Sequence, residues 1–316
     1  MTLTQLEYVL ALEKYQNYVR AADACSVTQP ALTLQVKNLE NELGFMLFDR
    51  TKKPVKLTEP GKAFLEQARV ILLEVKKAND IAEYQRNTSD GKLKIGIIPT
   101  LAPYLLPTFI SELNESNPGI KLQVIEEMTS EIVKALKAGE LDAGIIATPI
   151  KAPGLISFPL FYEKFYLYVS ESHPFYNNGK IELGKLKEVD IWLLKEGNCF
   201  RNQVGNFCAY GSGNEPKDNF SFESSSIESL MRIVEHRQGL TFIPELATLG
   251  IPTDKEDMVK GIVGGEPVRE ISLVVTRTFV KKHLIDKVME HIQNNIPKRM
   301  LTKPDNAILD TGLNLG

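Results

Sequence analysis

Cysteine is scarce in this chain: only Cys25, Cys199 and Cys208 occur in 316 residues. So few thiols exclude a disulfide-stapled scaffold. Histidine is nearly as rare, and His173, His236, His283 and His291 follow no metal-ligand spacing, so neither a metal centre nor a cofactor is expected. No stretch of about 18 apolar residues occurs, and the opening MTLTQLEYVL has no basic region ahead of an apolar core. Neither a membrane span nor a secretory signal is expected, which points to the cytoplasm. An excess of one charge is also missing. The 37 Lys+Arg and 40 Asp+Glu leave a net −3, which gives no general attraction for nucleic acid. What remains is an ordinary globular composition, 43% hydrophobic and 24% charged, with a length suited to two or three domains.

The overall charge conceals a division. Residues 1–90 hold twelve basic and twelve acidic side chains, so the whole −3 falls in the remainder, with 25 against 28. Within the neutral part, Arg50, Lys52, Lys53 and Lys56 lie in seven residues that contain no acid. A local cluster of this kind matters more for phosphate binding than the total does.

Residues 1–90 read as almost all helix. Thr4 is expected to cap a first helix carrying Leu6, Val9, Leu10 and Leu12, and a short second helix runs from about Tyr18 to Ala24. After a turn at Ser26-Val27, Thr28 caps a third helix that tolerates Pro30 in its first turn. Leu32, Val36, Leu39 and Leu43 fall on one face of it, and Gly44 stops it. Two helices joined by a tight turn form a helix-turn-helix, whose outer face offers Gln29, Thr33 and Lys37 to base edges or phosphates. The following FMLFDRTKKPVKLTEPG places short apolar pieces around a basic tip, the pattern of a β-hairpin wing. From Glu59 to about Asn87 nothing breaks the helix after its first turn. Phe64, Ala68, Ile71, Val75, Ala78 and Ala82 then recur as a heptad seam of roughly three repeats, on a helix about 40 Å long, suited to pairing with a second copy. Asn87 to Gly91 reads as a linker.

Beyond it the pattern alternates. Strands at 93–99, 120–126 and 142–147 enclose helices at 103–116 and 130–138, which indicates a parallel sheet covered on both faces. Strands at 165–170 and 191–194, helices at 199–208 and 226–238, and a strand near 240–243 form a second set. A strand at 270–276 and a helix around 279–296 follow, and the last sixteen residues read as a loose tail. Two α/β lobes of this kind bind ligands in the cleft at their strand ends.

The segment Ala21–Gly44, the wing ending KLTEPG, the long helix and the two-lobed region together resemble a LysR-type transcriptional regulator over nearly the whole chain. Gly197-Asn198-Cys199-Phe200-Arg201-Asn202-Gln203, with Phe207-Cys208, is similar to the sensing loop of the family's peroxide regulators, the OxyR subfamily. Pro99-Thr100, Pro103 to Pro107 and Thr129 match the same branch. The resemblance implies an α/β fold with an N-terminal winged helix-turn-helix and a two-lobed, periplasmic-binding-protein-like regulatory domain. The expected boundaries are 1–58 for the DNA-binding domain, 59–90 for the dimerisation helix, 91–300 for the regulatory domain and 301–316 for the tail. Lobe I would cover about 91–163 and 268–300, and lobe II about 164–267. The resemblance also implies a homotetramer that joins dimers through the 59–88 helix and through the regulatory domains. Promoter DNA and RNA polymerase would be its partners and hydrogen peroxide its signal. DNA contacts would come from Gln29, Pro30, Thr33, Leu34, Lys37, Arg50, Lys52 and Lys53. Leu34, being apolar, is suited to a thymine methyl or to packing.

In that family one cysteine reacts with peroxide and forms a disulfide with a second, roles that would fall to Cys199 and Cys208. The two are nine residues apart. In a continuous helix their Cα atoms would stand about 13.5 Å apart, whereas a disulfide needs about 4.4–6.8 Å. Oxidation would therefore require the segment to unwind. With Asn198 as N-cap, Cys199 sits at the first helical position, where the helix dipole and nearby Arg201 are expected to lower its pKa. Thr100 and Thr129 are expected to supply hydroxyls beside it. The chain departs from the family in having Asn198 and Asn202 where His and Asp are common. Cys25 is expected to pack in the core. Other functions remain open: a regulator that binds a small organic effector in the cleft with silent cysteines, a thiol peroxidase, or a solute receptor. No C-x-x-C supports the second, and no export signal supports the third. An enzyme is therefore not expected.

Overall fold

A computed structural model describes residues 1–86, 91–189, 191–208, 222–305 and 308–315. They fall into two compact units, Met1–Gln85 and Arg86–Gly316. The expected linker at 87–90 lies outside the described residues.

In the first unit, helix α1 (Leu3–Tyr15) begins two residues earlier than Thr4 would require. Thr2 is its cap: its side chain accepts from the Gln5 N–H, while the Gln5 side chain accepts from the Thr2 N–H. Thr4 has the same pattern with Glu7, but the reciprocal capping box forms at Thr2 and Gln5. Asn17 caps α2 (Tyr18–Ala24) by accepting from the Val19 and Arg20 amides. Thr28 precedes α3 (Gln29–Leu43) in extended geometry without a side-chain bond, and Gly44 ends that helix at φ +78°. Leu32, Val36 and Leu39 bury one face of α3 with Val9, Leu12, Ala21 and Ala22, and Cys25 packs at the edge of this core. Strands β1 (Phe48–Asp49) and β2 (Lys56–Leu57) pair antiparallel as the wing, with Phe48 opposite Leu57.

Helix α4 (Glu59–Arg86) starts beneath β1, where a Cβ on Gly61 would lie 2.2 Å from the Leu47 carbonyl oxygen. Glycine is the residue that allows this approach. Leu65 is fully buried and joins the winged-helix core, with Phe64 packed against it, and Ala68 is buried beside them. The first turns of the expected dimer seam therefore belong to the domain's own core. Farther along, Val70 and Ile81 are about half exposed.

In the second unit, β3 (Gly91–Ile97), α5 (Ala102–Ser116), β4 (Ile120–Glu126), α6 (Thr129–Lys137) and β5 (Ala143–Thr148) form the expected β-α-β-α-β. β3 lies parallel between β4 and β5. The long β6 (Leu155–Val169) follows, then β7 (Lys180–Glu182), β8 (Ile191–Trp192) and α7 (Cys199–Cys208). After these come α8 (Ile227–His236), β9 (Leu240–Pro244), α9 (Glu245–Thr248), β10 (Val259–Val263), β11 (Val268–Thr276), α10 (Lys282–Asn294) and α11 (Lys298–Leu301). β6 begins ten residues before the strand expected at 165. Residues 155–164 of it pair with β11, and 165–169 pair with β9. One strand thus serves two lobes, each with its own core: Leu105, Phe109, Ile132 and Val288 in the first, and Phe165, Leu230, Phe242 and Ile243 in the second. Pro159 and the adjacent charges Glu163 and Lys164 conceal the first half of β6 from a reading by alternation.

The last residues are not a loose tail. The Leu309 N–H donates to the Val268 carbonyl at 2.9 Å, and Lys151 exchanges backbone bonds with Leu313 and Leu315. Thr311 is fully buried, and its hydroxyl donates to the Pro149 carbonyl at 2.7 Å. Backbone pairing, which side-chain patterning does not reveal, fixes this segment.

Candidate functional site

α7 brings the sensing segment to the junction of the two lobes. Asn198 caps it, with its side-chain oxygen accepting from the Phe200 N–H at 2.9 Å and its carbonyl from the Asn202 N–H at 3.2 Å. Cys199 is therefore the first helical residue, and it is 2% exposed. Its neighbours divide the lobes sharply. Cys199 packs into the first core, while Phe200 packs into the second, stacked on Phe165 with ring centroids 4.9 Å apart. Two consecutive residues are anchored on opposite sides of the junction. Cys208 ends α7, and its side chain lies outside the described residues.

The charge beside the thiol comes from a residue that sequence reasoning missed. Arg269 of β11 is fully buried and donates to Glu163 of β6 at 2.7 Å, its cross-strand partner in register. A second nitrogen donates to the Thr100 hydroxyl at 3.1 Å, and a third to the Thr100 carbonyl at 3.4 Å. The guanidinium carbon lies 4.9 Å from the centre of the Phe200 ring. Glu163 also accepts from the Leu246 N–H at 3.0 Å, and burial pushes its carboxyl above the usual range although Arg269 and this amide both favour the anion. Arg201 is placed elsewhere. It donates to the Leu194 carbonyl at 3.0 Å, lies 3.6 Å from Glu196 and remains partly exposed.

These surroundings reverse the expected direction of the Cys199 pKa. Burial pushes the thiol above its ordinary range, outweighing Arg269, the Thr129 hydroxyl and the Phe200 and Cys199 amides, all of which favour the thiolate. The thiol is thus disfavoured as an anion by burial yet set among groups that would stabilise that anion. Thr129, at the start of α6, is buried, and its hydroxyl, which has no hydrogen-bond partner among the described residues, favours the thiolate. Thr100 is held by Arg269 and reaches the site through that guanidinium. Glu163 and Arg269 each stand beside a charge of opposite sign, Lys164 and Glu270, in mostly apolar strands, and only the strand register brings the two together. Among the described residues, no group of His, Cys, Asp and Glu could hold a metal ion, and no helix is long and apolar enough to cross a membrane.

The first unit carries the other candidate surface. Gln29, Pro30, Leu34 and Lys37 are exposed along α3, with Leu34 at 56%, and Gln29 donates to Thr33 at 2.9 Å. In the wing, Lys52 and Lys53 are exposed, with Lys52 3.7 Å from Asp49. Arg50 is not a free cation. It donates at 2.6 Å to the buried Glu40, whose other oxygen accepts from the Leu47 and Phe48 amides, and so braces the wing on α3.

Residues 3–62 match the family described as "Bacterial regulatory helix-turn-helix protein, lysR family", and residues 86–296 match the "LysR substrate binding domain". The chain belongs to the LysR family of transcriptional regulators. Its fold is that of the family, a winged helix-turn-helix followed by a two-lobed regulatory domain, and its members are DNA-binding regulators rather than enzymes. Among LysR relatives, it is 38% identical over 296 residues to the "Hydrogen peroxide-inducible genes activator" of Haemophilus influenzae, covering 94% of this chain and 97% of that one. It is 36% identical over 276 residues to the "DNA-binding transcriptional dual regulator OxyR" of Escherichia coli, covering 87% and 89%. Among solved structures it resembles a full-length OxyR variant from Pseudomonas aeruginosa, with TM-score 0.74, 32% identity and coverage of 94% and 99%.

Proposed function

We propose that this LysR-family regulator responds to hydrogen peroxide through reversible formation of a Cys199–Cys208 disulfide, and through it activates oxidative-stress genes. The observation that carries the reading is the position of Cys199: the first residue of α7, buried between the lobes beside Arg269 and Thr129, in a helix that ends at Cys208. The thiolate of Cys199 attacks one peroxide oxygen, the O–O bond breaks, and sulfenic acid and hydroxide form. Cys208 sulfur then displaces the hydroxyl of the sulfenic acid, which leaves as water. One peroxide and two thiols thus yield one disulfide and two waters. Arg269 and Thr129 favour the thiolate, Thr100 positions Arg269, and Arg201 shapes the outer side of the α7 turn rather than the anion.

DNA recognition is assigned to Gln29, Pro30, Thr33, Leu34 and Lys37 on α3, with Lys52 and Lys53 on phosphate and Arg50 holding the wing in place. The regulator acts on promoter DNA in the cytoplasm as a homotetramer, with dimers joined through the 59–88 helix and pairs of dimers through the regulatory domains, and engages RNA polymerase there. The working domains are 1–58, 59–90 and 91–300, with lobe I at about 91–163 and 268–300 and lobe II at about 164–267. The test is Cys199→Ser. It should abolish peroxide induction of a target promoter while leaving DNA affinity within about twofold. A variant that still responds would favour an organic effector in the cleft.

A further inference from the structure

Residues 308–315 bind α7 on one side and the frame of the regulatory domain on the other. The Gln203 amide donates to the Leu309 carbonyl at 3.0 Å, Asn206 to Asp310 at 3.0 Å, and Asn202 to Thr311 at 3.2 Å. Three consecutive carbonyls thus accept from one side of the helix that carries the cysteines, at positions i, i+1 and i+4. On its other edge the segment is bound to fixed strands and loops through Val268, Pro149 and Lys151. Leu309 packs against the second-lobe core and Leu313 against the first. Val268, which receives the Leu309 amide, adjoins Arg269 in β11.

We propose that residues 308–315 are a strap that sets the redox set-point of the cysteine pair by holding α7 helical while the thiols are reduced; this rests on the disulfide reading above. A helix keeps the two Cα atoms about 13.5 Å apart, so closing the bond to about 4.4–6.8 Å must unwind the stretch that carries residues 202, 203 and 206. The three amide bonds to the strap are made in the helical form and are lost with it. They therefore weigh against oxidation. Their donors are essential, because an aspartate of nearly the same shape presents only oxygen to a carbonyl. The electron balance is unchanged: peroxide is the oxidant, two thiols lose two electrons and two protons, and two waters leave. The strap alters only the level at which that equilibrium lies.

The test compares full-length parent protein with Asn202→Asp/Asn206→Asp and with a deletion of residues 308–316. In the reduced state, without peroxide, hydrogen exchange of the α7 amides should accelerate about tenfold in both, the effect of losing one to two net hydrogen bonds. In glutathione redox buffers the Cys199–Cys208 disulfide should become about tenfold more favoured, a midpoint about 30 mV more negative for a two-electron couple. Unchanged exchange with a midpoint within twofold of the parent, or a shift towards easier reduction, would overturn the strap alone. A parent protein that forms no Cys199–Cys208 disulfide would overturn the peroxide reading and the strap's redox role with it.

Discussion

Cys199 combines two demands that pull in opposite directions. Anchoring the junction of two cores requires burial, and burial disfavours the anion that reacts with peroxide. Arg269, Thr129 and the first amides of α7 offset part of that penalty without removing it. Because the thiol lies above its ordinary pKa, the thiolate fraction should rise about tenfold per pH unit below that value. The initial rate of Cys199 oxidation should therefore climb about tenfold between pH 7 and pH 8, measured by trapping the remaining free thiol. A flat rate over this window would mean the thiol is already ionised. Arg269 carries a structural consequence as well. Arg269→Ala leaves Glu163 as an uncompensated buried charge and should cost about 3–5 kcal/mol in denaturant unfolding. The double change Arg269→Met/Glu163→Leu should recover most of that loss, and a double variant no more stable than Arg269→Ala would show that the pair matters for more than its charge.

Elements differ in how plainly the sequence announces them. The α3 helix is legible because Leu32, Val36 and Leu39 repeat at helical spacing and Gly44 closes it, so the reading face follows from what is left over. The bounds of α7 are legible too, since a capping asparagine stands directly before Cys199. Arg269 is hidden because its role depends on β11 pairing with β6, a contact across more than a hundred residues that local patterning does not encode. The 308–315 segment is hidden for a related reason: carbonyl acceptors leave no mark on side-chain identity. Arg50 shows a tie that the basic run conceals. Its place in a basic run points to phosphate, whereas Glu40, ten residues earlier, claims it. The wing lysines are the better test of the DNA surface. Lys52→Ala/Lys53→Ala should weaken binding at every sequence and reduce the slope of log affinity against log salt by about two. Binding assays over a salt series that show unchanged affinity and slope would remove the wing from the interface.

At the scale of the whole molecule, the missing basic excess has a plain explanation. All of the net negative charge lies after residue 90, in the regulatory part, while the DNA-reading part is neutral with one exposed basic turn. Assembly multiplies that turn, two wings meeting two half-sites in each dimer. Under the proposed pairing through α4, the seam starts after the first turns of the helix, because Leu65 and Phe64 pack in the winged-helix core and Ala68 is buried. Ile81, about half exposed, is the place to break it. Ile81→Glu should shift the full-length protein to smaller species in sedimentation velocity and weaken operator binding by more than tenfold, and an unchanged sedimentation profile would move the interface elsewhere. The central claim joins the two ends of the chain: oxidation at α7 alters how the winged helices hold DNA. It is tested most directly by treating the operator-bound protein with peroxide and dividing one sample between peptide mass spectrometry and DNA footprinting. The account predicts a Cys199–Cys208 cross-linked peptide and a changed footprint, both reversed by a thiol reductant. Free thiols after treatment, or a disulfide with the footprint unchanged, would contradict it.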